Sequence, residues 1–491
     1  MVSRPQVSVS LADIAHELNL QCTSDALVTG ITHDSRQVQP GDLYVAIPGL
    51  QQHGINFLAE ALANGAVAIA SDHEGCLQAD KAGIPSVKLN APRRDMALLA
   101  SAVYDHPERK MTLVGVTGTN GKTTVTQMLR HVLLKQGKRT GVIGTLGAFI
   151  DYEKIPTLRT TPESTDLYAL LAQMHAEGVE TVCMEVSSHA LALDRVAGLF
   201  FDVAIFTNLT QDHLDFHGTM DAYFDAKSLL FRADIAKTAI INVDDEWGRK
   251  LVERTDCSNV VTVGEHAQWS ITHEQSGIAG ITSFALKHDA VSVSVEVPMF
   301  GLFNATNAAL CLTALNWIGE NLAQSAEALH SLPQVPGRME VAWSAGQKLA
   351  IVDYAHTPDA VEKVLQQIRA VQPKQLITVL GCGGDRDPVK RPIMGKLAAQ
   401  YSDVVIVTDD NPRSENPELI RQAIIDGIEN TAVTVENIGD RRMAIKHALE
   451  LCGAGDIVAV LGKGHESGQE IAGVITPFDD RDVVREEAQH V

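Results

Sequence analysis

The sequence predicts an α/β fold in three units, a small one over residues 1–109, a central one over 110–337 and a last one over 338–491. Three observations predict it. A chain of 491 residues is too long for one hydrophobic core. Short apolar runs alternate with helical patterns, the signature of mainly parallel sheets. One apolar run enters a glycine-rich turn and then an amphipathic helix, a strand–loop–helix unit that needs a sheet beside it.

The elements follow in order. Leu43–Ile47 reads as a strand stopped by Pro48-Gly49, Ala59–Asn64 as a helix, and Ala66–Ala70 and Ile84–Leu89 as two more strands. His106–Lys110 reads as a polar turn and a linker. Met111–Val116 is the strand that enters Thr117-Gly-Thr-Asn-Gly-Lys-Thr-Thr124. Val125, Met128, Leu129, Val132 and Leu133 then fall on one helical face. Such a turn is a phosphate cradle, because backbone N–H groups and the helix dipole face an anion. Gly118, Thr119, Asn120, Gly121, Lys122, Thr123 and Thr124 make it up, with Lys122 as an exposed point charge. The usual pattern has a glycine where this chain has Val116, and Gly118 supplies the flexibility instead. The central unit therefore reads as a P-loop ATPase domain.

Val182–Val186, Val203–Thr207 and Ala239–Val243 continue the central sheet, and the first of them carries Glu185 near its end. Residues 265–300 alternate like an antiparallel excursion, and Leu332–Gly337 is rich in breakers and reads as a boundary. Leu349–Val352, Leu376–Leu380, Val404–Thr408 and Ile457–Leu461 predict a Rossmann-like C-terminal domain. Each ends in an unusual loop: Asp353–His356, Gly381–Arg386, Asp409–Arg413 and Gly462–Glu466.

The formal charge of -21 argues against broad nucleic-acid binding and against a nucleic-acid motor. Seven scattered cysteines with no CxxC pair suggest a reducing compartment. No apolar run of about eighteen residues predicts a membrane span, so a cytoplasmic location is expected. Magnesium takes oxygen ligands beside phosphates, which suits Thr123 and Glu185. The loop Thr207–Gly218 gathers Asp212, His213, Asp215 and His217 without a cysteine, so zinc is set aside.

Several stretches together resemble the Mur ligase family, the ATP-dependent amide-forming enzymes of peptidoglycan synthesis. They are Gly118–Thr124, Glu185–His189, Thr207–Gly218, Asn304–Asn307, Gly337–Glu340 and Asp353–Pro358, and they run through the central and last units in order. Asp34-Ser-Arg36 and Gly41–Ala46 resemble the members that add 2,6-diaminopimelate. The resemblance implies ATP and Mg2+ as cofactors. It implies UDP-N-acetylmuramoyl-L-alanyl-D-glutamate as donor and meso-2,6-diaminopimelate as acceptor, with an acyl phosphate between them and L-lysine as the alternative acceptor. It also implies roles. Lys122, Glu185, His213 and Lys227 are catalytic, with Thr123, Glu185, His213 and a carbamylated Lys227 serving the metal ions. Asn304 and Asn307 fall on the adenine side, and Arg338 and Asp353 at the phosphates and ribose. His33, Ser35, Leu50, Gln51 and Gln52 map to the uridine end, and Thr160, Thr161, Ser187 and Arg195 to the sugar-peptide end. Arg386, Asp410, Asn411, Pro412, Arg413, Gly462 and Glu466 map to the acceptor, with Arg413 as the cation for a distal carboxylate. Leu193, Asp194 and Arg159 depart from residues usual in relatives. A monomer with mobile domains is expected, because one site is assembled from three units.

Overall fold

The computed structural model describes residues 4–49, 52–277, 280–429 and 432–490. Among them, three main sheets carry the fold. The first has five strands, β1 Gln21–Cys22, β2 Gly30–Thr32, β3 Asp42–Ala46, β4 Ala68–Ser71 and β5 Ser86–Lys88, in the order β1-β5-β4-β3-β2. Helix α1, Pro92–Val103, follows it. The polar turn expected at His106–Lys110 is a packed 3-10 turn at Pro107–Lys110. Glu108 is buried there and accepts a hydrogen bond from Ser101 Oγ at 2.8 Å, so the segment is fixed by a polar contact.

The central sheet contains β6 Thr112–Thr117, β7 Thr140–Gly144, β8 Gly147–Ile150, β9 Glu153–Ile155, β10 Thr181–Glu185, β11 Phe201–Phe206, β12 Ala236–Asn242 and β13 Asn259–Gly264. It ends in β14 Trp269–Ser276, β15 Thr282–His288 and β16 Val291–Val297. The order is β9-β8-β7-β10-β6-β11-β12-β13-β14-β15-β16. The last three strands pair antiparallel, as their alternation predicts, but they extend the same sheet. The hairpin β7–β8 with β9 is an addition that no sequence signal announced.

Helix α2, Lys122–Lys135, leaves the glycine-rich loop. Its five periodic apolar residues are all fully buried, each worth roughly 1.5–3 kcal/mol. Helix α3 is Ser164–Ala176, α4 is Met220–Ser228 and α5 is Phe303–Trp317. β10 lies parallel to β6 with Glu185 opposite Val116, so the carboxylate stands level with the cradle.

The third sheet has β17 Glu340–Ala345, β18 Lys348–Asp353, β19 Leu376–Leu380, β20 Val404–Val407, β21 Thr434–Asn437 and β22 Ile457–Leu461. Its order is β17-β18-β22-β19-β20-β21, parallel except at β17. The four unusual loops thus leave the carboxyl ends of four adjacent strands, where ligands bind in such sheets. A hairpin, β23 Gly468–Ile471 and β24 Val474–Pro477, covers one of them. Helix α6, Arg441–Leu451, and helix α7, Asp480–Glu487, pack below.

Candidate active site

The cradle forms as its residue types require. Gly118 has φ +145, and a Cβ there would overlap Thr207 Oγ1, so this tight approach needs glycine. Asn208 Oδ1 accepts from Asn120 N at 3.0 Å, which ties the loop to the end of β11. Lys122 departs from the expected exposed charge. It is half-buried, and its Nζ lies 2.9 Å from Gly118 O and 2.8 Å from Thr119 O. An ammonium drawn off the surface needs acceptors, and the loop's own carbonyls provide them. Burial pulls its pKa down.

A cavity of about 210 Å³ opens over the cradle. Thr119 to Thr124, Thr160, Glu185, Ser187, His213, Lys227, Arg338 and Asp353 line it, so residues from distant parts of the chain converge. Glu185 is buried, and both of its oxygens are held by Thr145, through N at 2.9 Å and Oγ1 at 3.0 Å. Thr123 Oγ1 accepts from Arg338 Nη2 at 3.3 Å, a direct contact from the C-terminal unit to the loop. Arg338 also stacks 4.7 Å over Tyr354. Gly118 and Thr161 stand behind the wall: Gly118 O takes both lysines, and Thr161 Oγ1 donates to Glu185 O at 2.9 Å.

Lys227 is fully buried on α4, although its sequence alone fits a surface lysine. Its Nζ donates to Gly118 O at 2.8 Å and lies 4.6 Å over the Tyr223 ring. Burial, helped by repulsion from Lys122, holds its pKa well below the ordinary value. Partial desolvation lowers the pKa of His213, whose side chain remains 45% exposed, leaving a neutral imidazole with a free electron pair at neutral pH. Asp353 is buried and accepts from Met339 N at 2.7 Å and Ala355 N at 2.8 Å; burial raises its pKa.

Next to the cradle lies a cavity of about 300 Å³, lined by Asn120, Gly121, Thr124, Asn307, Arg338 and Asp353 among others. Asn304 is not on its wall. It is fully buried behind Asn307 and accepts from Asn307 Nδ2 at 3.0 Å, so it orients the residue that faces the space.

A larger cavity, about 800 Å³, spans the first and central sheets. His33, Ser35, Gln52 and Arg195 line it, while Thr160 and Ser187 face the cradle cavity. Leu50 and Gln51 lie outside the described residues. Glu163 is the unforeseen residue here. Its carboxylate pairs with Arg195 at 2.9 Å, Arg93 at 3.5 Å and Arg159, a cluster drawn from two units. Nothing in the Thr160-Thr-Pro-Glu163 string signals it.

The fourth cavity, about 550 Å³, lies between the loop at 211–215 and the C-terminal loops. Arg386, Asp410, Asn411, Arg413, Gly462 and Glu466 line it, with His213 and His356 on the side shared with the cradle. Pro412 shapes the turn from behind, with its carbonyl against Gly384. Arg413 has φ +51 and its Nη1 donates to Gly384 O at 2.6 Å. Gly462, at φ +117, lets Asp410 approach to where a Cβ would sit. Tyr354, His356 and Lys463 belong to loops whose composition stood out, but their roles were not legible there.

Among the described residues no three histidine, cysteine or carboxylate side chains converge as a metal cage. The donors present, a threonine hydroxyl and a carboxylate at an anion-binding loop, fit a magnesium ion that completes its shell with phosphate oxygens. Fold and site define a three-domain α/β enzyme of the nucleotide-cradle class, whose cradle cavity opens into the C-terminal cavity at His213 and His356.

The chain belongs to the Mur ligase family. The family model for the Mur ligase family, catalytic domain, matches residues 27–105, that for the Mur ligase middle domain 116–315, and that for the Mur ligase, glutamate ligase domain, 337–464. It is 42% identical over 484 residues to a UDP-N-acetylmuramoyl-L-alanyl-D-glutamate--2,6-diaminopimelate ligase of Streptomyces coelicolor, covering 97% of this chain and 96% of that one. With the ligase of the same name from Corynebacterium glutamicum it shares 44% over 472 residues, 93% and 91% of the two chains. A solved structure of a ligase of this name superposes with a TM-score of 0.71 at 33% identity, covering 99% of both. A MurF ligase of Thermotoga maritima in complex with ADP has the same fold, at a TM-score of 0.63 and 20% identity over 94% of this chain and 97% of that one.

Proposed function

We propose that this chain joins meso-2,6-diaminopimelate to UDP-N-acetylmuramoyl-L-alanyl-D-glutamate at the expense of ATP, a step of peptidoglycan precursor synthesis in the cytoplasm. The observation that carries the reading is one cradle whose cavity shares walls with a nucleoside-side cavity and an acceptor cavity, with the donor cavity flanking it. The acceptor cavity shares His213 and His356 with the cradle cavity, and the donor cavity comes alongside where Arg159 on its own wall adjoins Thr160 on the cradle's.

The chemistry follows from that arrangement. The donor's glutamate carboxylate attacks the γ-phosphate, ADP leaves, and an acyl phosphate forms. The acceptor amine then attacks the carbonyl, loses a proton, and phosphate leaves with the amide in place. Both steps bring polyanions together, so the protein's task is orientation and charge neutralisation. Lys122 turns from its loop carbonyls to the phosphates. Arg338, reaching in from the last unit, couples closure of that unit to the nucleotide. Asn307 and Asp353 hold the nucleoside side. Thr123, Glu185 and His213 would hold magnesium, which neutralises phosphate oxygens when bound. Lys227 carries a carbamate in this reading: its burial favours the neutral amine that reacts with carbon dioxide, and the product is an anion beside His213.

His33, Ser35 and Gln52, with Leu50 and Gln51, serve the uridine end, and Thr161 and Arg195 the peptide end. Arg386 and Arg413 face the acceptor's carboxylates, and Glu466 an ammonium. Arg413 favours diaminopimelate over L-lysine, because lysine has no distal carboxylate to pair with it. Purified protein given ATP, magnesium and the UDP-muramoyl dipeptide should release phosphate with diaminopimelate and far more slowly with lysine. Equal rates with both would reject the acceptor assignment. Phosphate release independent of the dipeptide would reject the donor. Sedimentation as a single monomeric species is expected.

A further inference from the structure

Below the acceptor cavity lies a floor of buried charge. Lys463 is 0% exposed and absent from the cavity wall. Its Nζ lies 3.0 Å from Asn411 Oδ1, 3.3 Å from Glu466 Oε2 and 3.8 Å from Asp410 Oδ1. Asn411 Nδ2 donates to the same Glu466 oxygen at 2.9 Å. One layer deeper, Arg441 and Asp480 form a bidentate pair, with both contacts at 2.7 Å and both side chains 0% exposed. Arg441 Nη2 also donates to Leu461 O at 3.0 Å, where the 462–466 loop leaves β22.

Burying an ammonium is costly unless it is paired, and a methionine would fill the same space without that cost. Its pairing joins two loops far apart in sequence, the one at 410–413 and the one at 462–466. The two cations, Lys463 and Arg441, face three carboxylates, Asp410, Glu466 and Asp480.

We propose that Lys463 is a positioning residue of the acceptor site: it holds Asn411 and Glu466 in the orientation that receives the acceptor's ammonium, without touching the acceptor. This rests on the acceptor reading given above. The test is a double-mutant cycle of Lys463→Met and Glu466→Gln, following KM for diaminopimelate, ATP and the donor separately. Lys463→Met is expected to raise the diaminopimelate KM by about ten-fold or more, the scale of one lost charged hydrogen bond, with the other two KM values within about two-fold. In the Glu466→Gln background the same change should add nothing. A uniform rise in all three KM values, or independent effects that multiply, would overturn the proposal. Should Lys463→Met alone not fold, the double variant has neither charge and carries the test. A diaminopimelate KM equal to that of Glu466→Gln supports the proposal, and a higher one rejects it. If the unmodified enzyme releases no phosphate with diaminopimelate, the acceptor reading falls and this inference with it. Additive losses in an enzyme that uses diaminopimelate well reject this inference alone.

Discussion

Single residues at this site are decided by burial more than by type. Lys122 and Lys227 both bond to Gly118 O, yet only Lys122 belongs to a recognisable loop pattern. Lys122→Ala is expected to abolish ATP-dependent phosphate release while the melting temperature stays close to that of the parent. Near-normal turnover would remove Lys122 from the phosphate site. Intact-mass analysis under conditions that preserve labile groups should find one added carbon dioxide, localised to Lys227; a bare amine in an active preparation counts against the carbamate. Arg413→Ala should cost the acceptor's kcat/KM about 30-fold or more, since losing one partner of a desolvated charge pair costs roughly 2–5 kcal/mol. Losses of equal size with lysine would detach Arg413 from specificity.

At the scale of elements, the hairpin β23–β24 acts on the acceptor loop through its backbone. Arg413 N donates to Glu470 O at 3.1 Å and Ala472 N to Arg413 O at 2.8 Å, which holds Arg413 in its left-handed conformation. Gln469 Nε2 adds a bond to Asp410 O at 2.8 Å. The hairpin turn places Ala472 at φ +49 and Gly473 at φ +78, the conformation of a two-residue type I′ turn. Alanine is strained there by about 1–2 kcal/mol. Ala472→Asn, giving Asn-Gly, should therefore raise the melting temperature; an unchanged or lower value would show that the turn does not limit stability. Ala472→Pro removes the N–H and fixes φ near -65. It should raise the KM for the acceptor with little change for ATP, and a matching rise for ATP would mean that the hairpin supports the whole domain instead.

At the scale of the whole molecule, a partly buried histidine near the junction of the central and last units titrates far from its ordinary value. His465 packs against Tyr354, 4.9 Å between rings, near the 332–337 boundary. Its Nδ1 is buried with no hydrogen-bond partner among the described residues. Burial, with repulsion from Arg338, Arg481 and Lys154, brings its pKa to about 3. The unfolded chain's imidazole takes a proton below about 6.5. As pH falls from there toward 3, the unfolded state binds a proton that the folded state does not, so stability is lost. Thermal melts from pH 7 to pH 4.5 should show His465→Gln losing less stability than the parent. Identical slopes would place the acid sensitivity elsewhere.

The sequence by itself determined the α/β class, the cradle from Gly118 to Thr124, the strand carrying Glu185 and the four loops at the end of the last sheet. These are local facts: a helical period, a strand run or a glycine at a turn is written within a dozen residues. Mur ligase motifs in chain order extended the reading to site residues that periodicity could not reach. Only the tertiary structure decided that Asn304 stands behind Asn307, that Lys122 folds onto its own loop, and that the turn at 107–110 is packed. It alone brought Arg338 to Thr123, three arginines to Glu163, and Lys463 beneath Asn411 and Glu466. Those arrangements depend on strand order and on which side chains are shut away from water together, and neither is written in a local periodicity or turn signal.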